Sequence, residues 1–540
     1  MIKNLRITKM IALLCTVLMI ANIFVGCGKA SDSQTDSTDA KQEVSDSADA
    51  KQEASDSEDK AQEDTVPEDL PPYKISIMAP GAADEDEANE YRQQIYSKIE
   101  EYTNTEIEFI FYPDTLYWEK VTLVLSTGEL PSIMVVNKTP EIGNAAQNGD
   151  IWEVGPYIKN FPNLSQITEV AWENCSFNGK LYSIPRSRPV GRNGVGYRLD
   201  WLENLGLPEP KTIDDFYQML VAFTKDDPDR NGKNDTIGMA VTSYPGPWDI
   251  MQIWFGAPNG WGIQNDELIP AHLTKEYDEA LKFFRKLYSE GLVNQDFDTY
   301  DPAKWDELLR GGIAGCAVDV VDRFARNQEY FDREGIPAKT QIVGGFEGPY
   351  GLRLLPTSGY NGMFIISTAK VKTEEELLRV LDFIDKLSDA EMLNLIEWGI
   401  EDVHWYYDEE LGYAVRYTEE DKPGIGDPRK GLNQITSYYV HPSQEENRIK
   451  GAPLSEIREL ANKVQAENEQ YCIPNYGASY FSETMAQIGS DLDEIINTAR
   501  IRYIKGEIDE VGLKAAKDQW LKAGGQKVID EVNSMYKANK

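Results

Sequence analysis

After Ser132, Ile133-Met-Val-Val136 is an apolar run with no polar residue to turn toward water. A strand of that kind must be covered on both faces, which is the condition of a strand in a layered α/β sheet. The neighbouring segments supply the layers. Tyr73-Lys-Ile-Ser-Ile-Met alternates apolar and polar and reads as a first strand, and Glu106-Ile-Glu-Phe-Ile-Phe reads as a second. Helical patterns over Glu87–Tyr102 and Tyr117–Leu125 separate these runs, and Gly128-Glu-Leu-Pro131 stops the second helix. Strands alternating with helices predict a parallel α/β sheet. Later, Gly312–Asp319 and Met363–Ile366 read as strands, and Lys275–Glu290, Thr373–Asp385 and the long tail from Ser455 read as helices.

The stretch from Asn178 to Gly238 is the most informative. Asn178-Gly-Lys-Leu-Tyr-Ser-Ile-Pro185 predicts a turn, a short strand over Leu181–Ile184 and a proline stop. A glycine-flanked strand around Tyr197 then runs into a short helix. Thr212 followed by Asp215 is close to a capping box. Phe216, Met219, Leu220 and Phe223 recur at helical spacing, so this helix buries one face. It delivers Asp227-Pro-Asp229-Arg-Asn231-Gly232-Lys233-Asn-Asp235, the first nine positions of a D-x-D-x-N-G-x-x-D calcium loop. Alternate side chains in such a loop converge their oxygens on one point, and the glycine allows the sharp turn. Asp227, Asp229, Asn231 and Asp235 would offer side-chain oxygens to Ca2+, and Lys233 its carbonyl. The twelfth position is Gly238 rather than Glu, so an EF-hand is not expected. The plain alternative is a solvated acidic turn.

Taken in order, these segments resemble the extracellular solute-binding proteins of carbohydrate ABC transporters, in the lipoprotein branch that captures sugars and polysaccharide fragments. Three further stretches carry the same resemblance. Gly128-Glu-Leu-Pro-Ser-Ile133 is similar to the family's SGE-x-PDI unit, with Ser132 where Asp is usual. Trp398-Gly-Ile-Glu-Asp-Val-His-Trp405 is similar to its YGIEGVHY signature, with Asp402 in place of Gly. Trp520-Leu-Lys-Ala-Gly-Gly525 resembles its closing helix. The resemblance runs from Tyr73 to Lys540. It implies a two-lobed periplasmic-binding-protein-like α/β fold with crossover hinge strands and a long helical C-terminal part. Lobe 1 is expected over 71–187 and 358–435, and lobe 2 over 188–357 and 436–540. Hinges are expected near Pro185–Gly196 and Ser358–Gly362. It also implies a structural calcium, permease subunits as partners, a monomer, and binding of an oligosaccharide between the lobes without turnover.

The N-terminus carries an address rather than a fold. Lys3, Arg6 and Lys9 precede a mostly apolar stretch from Met10 to Ala21, and Phe24-Val-Gly-Cys27 resembles a lipobox. Residues 1–27 are therefore expected to be a lipoprotein signal segment. Cys27 would be the lipidated residue that tethers the protein to the extracellular face of the cytoplasmic membrane. Residues 28–70 form an acidic linker in which Asp-Ala-Lys-Gln-Glu recurs at Asp39 and Asp49. With almost no bulky apolar side chains it cannot offset chain entropy, and disorder is expected. The net charge of −37 argues against nucleic acid as a partner. Cys175, Cys316 and Cys472 show no metal or redox spacing and are expected to pack as small apolar residues.

No catalytic motif is present, and His272, His404 and His441 are scattered. An enzyme is not expected. Two alternatives remain open: a cell-surface polysaccharide-degrading enzyme, whose carboxylate pair would be spatial rather than sequential, and a ligand-binding sensor partner. Sugar recognition asks for flat aromatic faces and planar polar groups, and the chain holds 11 Trp and 28 Tyr. Trp248, Trp261 and Trp405 are chosen because glycine and proline flank them or their motif. Arg198, Asp200, Asp319, Asp322, Asn137 and Lys138 are chosen because they follow strands, where ligands of open α/β sheets bind. Tyr360, ahead of the return strand, and Glu401 complete the candidate set.

Overall fold

The computed structural model describes residues 70–81, 89–436 and 442–540. The signal segment, Cys27, the linker up to residue 69 and His441 lie outside the described residues. Strands β1 (Tyr73–Pro80), β2 (Thr105–Tyr112), β3 (Ile133–Val136) and β4 (Ile184–Ser187) belong to a first sheet. The chain then builds β5 (Asn193–Arg198) and β6 (Ile237–Met239), a hairpin of β7 (Trp261–Gln264) and β8 (Glu267–Pro270), then β9 (Ala314–Val320) and β10 (Thr340–Val343). Strand β11 (Tyr360–Ile366) returns to the first sheet, and β12 (Trp405–Asp408) and β13 (Tyr413–Arg416) form a second hairpin. The sheet orders are β2-β1-β3-β11-β4 and β10-β5-β9-β6.

Both sheets are mixed, which corrects the expectation of a parallel one. Strand β1 runs parallel to β2 and β3, but β11 runs antiparallel to both β3 and β4 because it re-enters from the second sheet. All four residues of β3 are buried, as its composition requires. Ser132, just before it, exchanges hydrogen bonds with Ser76 of β1: Ser132 N–H donates to Ser76 Oγ at 3.0 Å and Ser76 N–H to Ser132 Oγ at 3.2 Å. Tyr117, fully buried on the helix Asp114–Thr127, donates its hydroxyl to the carbonyls of Met78 and Val135 and so pins that helix to both strands.

The proline stop expected at Pro185 is not a stop. Pro185 lies inside β4, opposite Met363, and β4 is the edge strand, so the missing N–H faces no neighbour. The capping box is present: Asp215 N–H donates to Thr212 Oγ1 and Thr212 N–H to Asp215 Oδ2. In the Trp398–Trp405 motif, Gly399 has φ +78° and an added Cβ would lie 2.4 Å from the His404 ring, so only glycine fits. Asp402 takes φ +61°, a left-handed conformation that glycine adopts without strain.

Residues 188–192 carry the chain from the first sheet to the second. Two more segments lie beside them. Thr357 N–H donates to the Val190 carbonyl, Asn193 Nδ2 to the Leu355 carbonyl, and Ile473 N–H to the Leu354 carbonyl. The final crossing falls later than expected. Gln444 still accepts from Ala390 N–H and the Lys450 carbonyl from Ala414 N–H, both on the first body. Only with Glu456–Asn468 does the chain enter the second core, where Ile457, Ala461 and Val464 join Val321 and Phe324. The C-terminal helices Glu483–Ile504, Glu510–Trp520 and Gln526–Ala538 complete that body. Cys175 and Cys316 are buried and Cys472 is partly so. Among the described residues no helix is long and apolar enough to cross a membrane.

Candidate functional site

The ends of strands from the two sheets approach one another. Residues 188–192 span at most roughly 20 Å, so the end of β4 and the start of β5 face one another. At the first-sheet end, Tyr360 pairs with Ser187, and Asn137 and Lys138 follow β3. At the second-sheet end, Asn193 pairs with Val320 and Gly194 with Asp319. The sequence candidates Asn137, Lys138, Tyr360, Asp319 and Asp322 are thus brought to one side of the two sheets. Asn137 is exposed there. Asp319 accepts from Arg323 Nε at 2.5 Å, and Arg323 lies over the Trp305 ring. Asp322 accepts from Arg192 Nε at 2.5 Å and from Gln465 Nε2. Tyr244, half exposed with its ring laid over Gly246, stands beside this pair.

Arg198 and Asp200 are not at these strand ends. Strand β5 runs antiparallel to β9, so the residues after its carboxyl end sit at the far edge of the sheet. Arg198 lies about 13 Å along β5 from the partner of Asp319, at roughly 3.3 Å per residue. There it forms a bidentate pair with Asp200 and covers the Trp201 ring. Trp405 is also elsewhere: it is buried, donates its indole N–H to the Gly399 carbonyl and packs edge-on to Trp398. Glu401, exposed, lines a separate groove on the first body with Lys98 and Tyr102.

Trp248 is a core residue. Pro247 falls in the first turn of the helix Gly246–Trp254, where proline starts a helix rather than breaking one. The ring is 3 % exposed and packs on Phe284 and Phe297. Trp261, by contrast, is partly exposed and lies flat on the backbone of Gly477, where a Cβ would come within 2.5 Å of its ring.

Trp261 and Lys138 both line a cavity of about 460 Å³ where the first body, the β7–β8 hairpin and the C-terminal helices meet. Its walls include Phe177, Tyr480, Phe481 and Trp520, and its polar groups include Asp249, His272, Asp493 and Arg500. Lys138 offers a ligand nothing: its ammonium donates to the carbonyls of Asn174, Ser176 and Ala478, which takes all three of its protons. Burial pulls its pKa down to about 8. Tyr360 donates to the same Asn174 carbonyl, at 3.4 Å. Arg500 is 7 % exposed and donates to Asp249 Oδ1 at 2.6 Å and Asn497 Oδ1 at 3.0 Å, while its Nε has no partner. His272 sits edge-on to Trp520, and burial, with Lys517 nearby, holds its pKa down to about 3, so it is neutral. Sequence reasoning missed Tyr244, Arg500, His272 and Trp520 as site residues. The only available signal was a tail of buried-face helices, which says nothing of which residues face a distant loop.

The family model for "Bacterial extracellular solute-binding protein" matches residues 55–308. Lipoprotein LipO of Bacillus subtilis (strain 168) is 38 % identical over 480 residues, which covers 86 % of this chain and 93 % of LipO. The chain belongs to the bacterial extracellular solute-binding proteins. A second relative, the polygalacturonan/rhamnogalacturonan-binding protein YtcQ of the same strain, is 31 % identical and covers 83 % of this chain and 89 % of its own length. Among solved structures, the ABC-transporter substrate-binding protein FusA of Streptococcus pneumoniae, as an EF-hand mutant with fructo-nystose, superposes with a TM-score of 0.60 at 20 % identity. That match covers 86 % of this chain and 100 % of FusA, and it shows the same two-lobed fold.

The two tryptophans of this solute-binding protein predict opposite phenotypes. Trp248→Ala empties a core position and should cost about 3–5 kcal/mol of unfolding free energy. Trp261→Ala removes a partly exposed ring and should cost less than about 1 kcal/mol. Denaturant unfolding followed by circular dichroism checks both.

Proposed function

We propose that the protein captures an oligosaccharide or polysaccharide fragment between its lobes and delivers it to the permease subunits of an ABC importer. It does so without turnover, held by a lipid on Cys27 at the extracellular face of the cytoplasmic membrane. The observation that carries the sugar reading is the junction cavity, where Trp261, Tyr480 and Trp520 surround the polar groups of Arg500 and His272. Aromatic walls with a few buried donors suit a ring with apolar C–H faces and hydroxyl edges. The names of YtcQ and FusA point the same way: one is a polysaccharide-binding protein, the other was solved with fructo-nystose.

Calcium belongs to the same proposal as a structural ion in the second body. In the loop, Asn231 Nδ2 donates to Asp229 Oδ2 at 2.7 Å and to Asp235 Oδ1 at 3.1 Å, and Asp227 accepts from the N–H groups of Asn231 and Gly232. Asp229 and Asp235 thus share the Asn231 side-chain amide while Asp227 caps two backbone N–H groups of the same turn, a hard oxygen set of the kind Ca2+ takes. Among the described residues no group of three or more His, Cys, Asp or Glu is assembled tightly enough to hold a metal. Calcium would therefore draw the three carboxylates inward and take the place of the Asn231 side-chain amide between Asp229 and Asp235. Asn231 Oδ1 and the Lys233 carbonyl would complete the protein's share.

Isothermal titration of a neutral and acidic glycan panel tests the main reading. Binding should compact the protein in small-angle scattering, and Trp261→Ala should weaken it by about 1–3 kcal/mol. Cleavage of the glycan would replace the receptor by an enzyme. For the ion, a chelator should lower the melting temperature, by the equivalent of about 2.7 kcal/mol if calcium stood at 100-fold over its Kd. Asp229→Ala should abolish that response, and an unchanged melting curve would remove calcium from the account. Cys27→Ala should leave an unprocessed precursor without lipid, and normal processing of that variant would refute the anchor.

A further inference from the structure

The junction cavity has a chemistry that bears on which sugars enter it. Its described cations are Lys138, Arg500 and His272. Lys138 is saturated by three backbone carbonyls. Arg500 is neutralised by Asp249 at 2.6 Å. His272 is held neutral by burial among Trp520 and its neighbours. Lys517, the next positive charge toward His272, is bound to Asp278. Against these stand two carboxylates: Asp249, already spent on Arg500, and Asp493. The remaining wall is largely aromatic and aliphatic. A carboxylate brought here would lose its water, find no cation with charge to spare and stand in the same cavity as Asp493.

The uncharged polar groups of the wall suit something else. Gln252 and Asn497 line the cavity, and amides pair with hydroxyls without needing a charge. Arg500 Nε and His272 Nε2 are buried without partners and too enclosed for a ligand oxygen to reach. From these positions we infer that the cavity takes an uncharged sugar ring, seated against Trp261, and that it rejects uronates. This rests on the sugar-capture reading and adds the substrate class to it.

The test pairs each acidic oligosaccharide of a panel, oligogalacturonides included, with the same chain after reduction of its carboxylates to alcohols. The panel also holds unmodified neutral oligosaccharides, and titration uses the full chain. The tightest ligand should be neutral, and each reduced oligomer that binds should do so at least about tenfold more tightly than its acidic parent, the scale set by burying an unpaired charge. Asp249→Asn keeps the shape of the site and releases the charge of Arg500. That variant should gain affinity for the acidic member and shrink the ratio to about threefold or less, a gain that misfolding cannot mimic. An acidic oligomer that binds the unaltered protein as tightly as its reduced form overturns the inference and leaves sugar capture standing. A ratio that Asp249→Asn leaves unchanged overturns the electrostatic argument in the same way. A panel in which no glycan binds overturns the sugar reading and this inference together.

Discussion

Asn468 ties the helix Glu456–Asn468 to the segment that leaves the first sheet. Its side-chain amide donates to the carbonyls of Gly191 and Asn193, at 2.8 and 2.9 Å, in the segment that carries the chain out of the first sheet. The fit leaves no room for side chains on either side. A Cβ on Gly191 would meet the Gln465 carbonyl at 2.3 Å, and one on Gly344 would meet Asn468 Oδ1 at 2.0 Å. One buried amide thus joins residues 277 positions apart, next to the Asn193 contact with Leu355. The crossing between the sheets is a short bundle of segments joined by asparagine side chains. Such a bundle can flex at a few backbone torsions while keeping the strand ends opposed, which is the requirement for hinge closure.

Around that pivot the charge is distributed unevenly in kind. The chain carries −37 overall, yet the charged groups at the junction cavity are mostly cancelled against each other or against backbone carbonyls. Surface carboxylates of one sign keep a protein soluble. They do not need to reach into the cavity, where low dielectric would make each one costly. Overall charge and ligand charge are separate quantities in this fold. A sequence-wide total says little about a pocket whose Arg500 comes from one helix and whose Asp249 comes from another 251 positions earlier.

The parts legible in the sequence were those set by local physics. The apolar run at Ile133–Val136, the Thr212 capping box and the glycine-flanked β5 all depend on residues within a few positions of one another. The site was legible only in fragments, because strand direction and helix placement are global. Trp261 and Lys138 do line the cavity, but the rule that ligands sit after strand carboxyl ends misplaced Arg198 and Asp200 once β5 proved antiparallel to β9. Trp248 was misread because its flanking prolines look like loop until Pro247 is seen to open a helix. Arg500, His272 and Trp520 carried no local mark at all, since their role comes from the hairpin and helices folding back on the first body.

Lys138 shows how that fold-back is held. The segment around Ala478–Ser482 leaves the second body, touches the first and returns into the helix Glu483–Ile504. Asn178 N–H donates to the Ser479 carbonyl, Phe481 N–H donates to Asn178 Oδ1, and Phe481 packs edge-on to Phe177. Lys138 adds a charge-assisted bond to the Ala478 carbonyl at 2.7 Å. Bonds to a charged group contribute on the order of 1.5–3 kcal/mol each, but burial of this ammonium takes part of that back, as the fall of its pKa to about 8 indicates. The segment is therefore held to the first body by a balance of hydrogen bonds, the Lys138 ammonium and the packing of Phe481. It forms one wall of the cavity, so anything that seats against Trp261 and Tyr480 adds directly to that balance. A ligand shifts such an equilibrium only by its preference for the closed form, and the smaller the intrinsic bias, the more completely occupancy decides which form is presented to a partner.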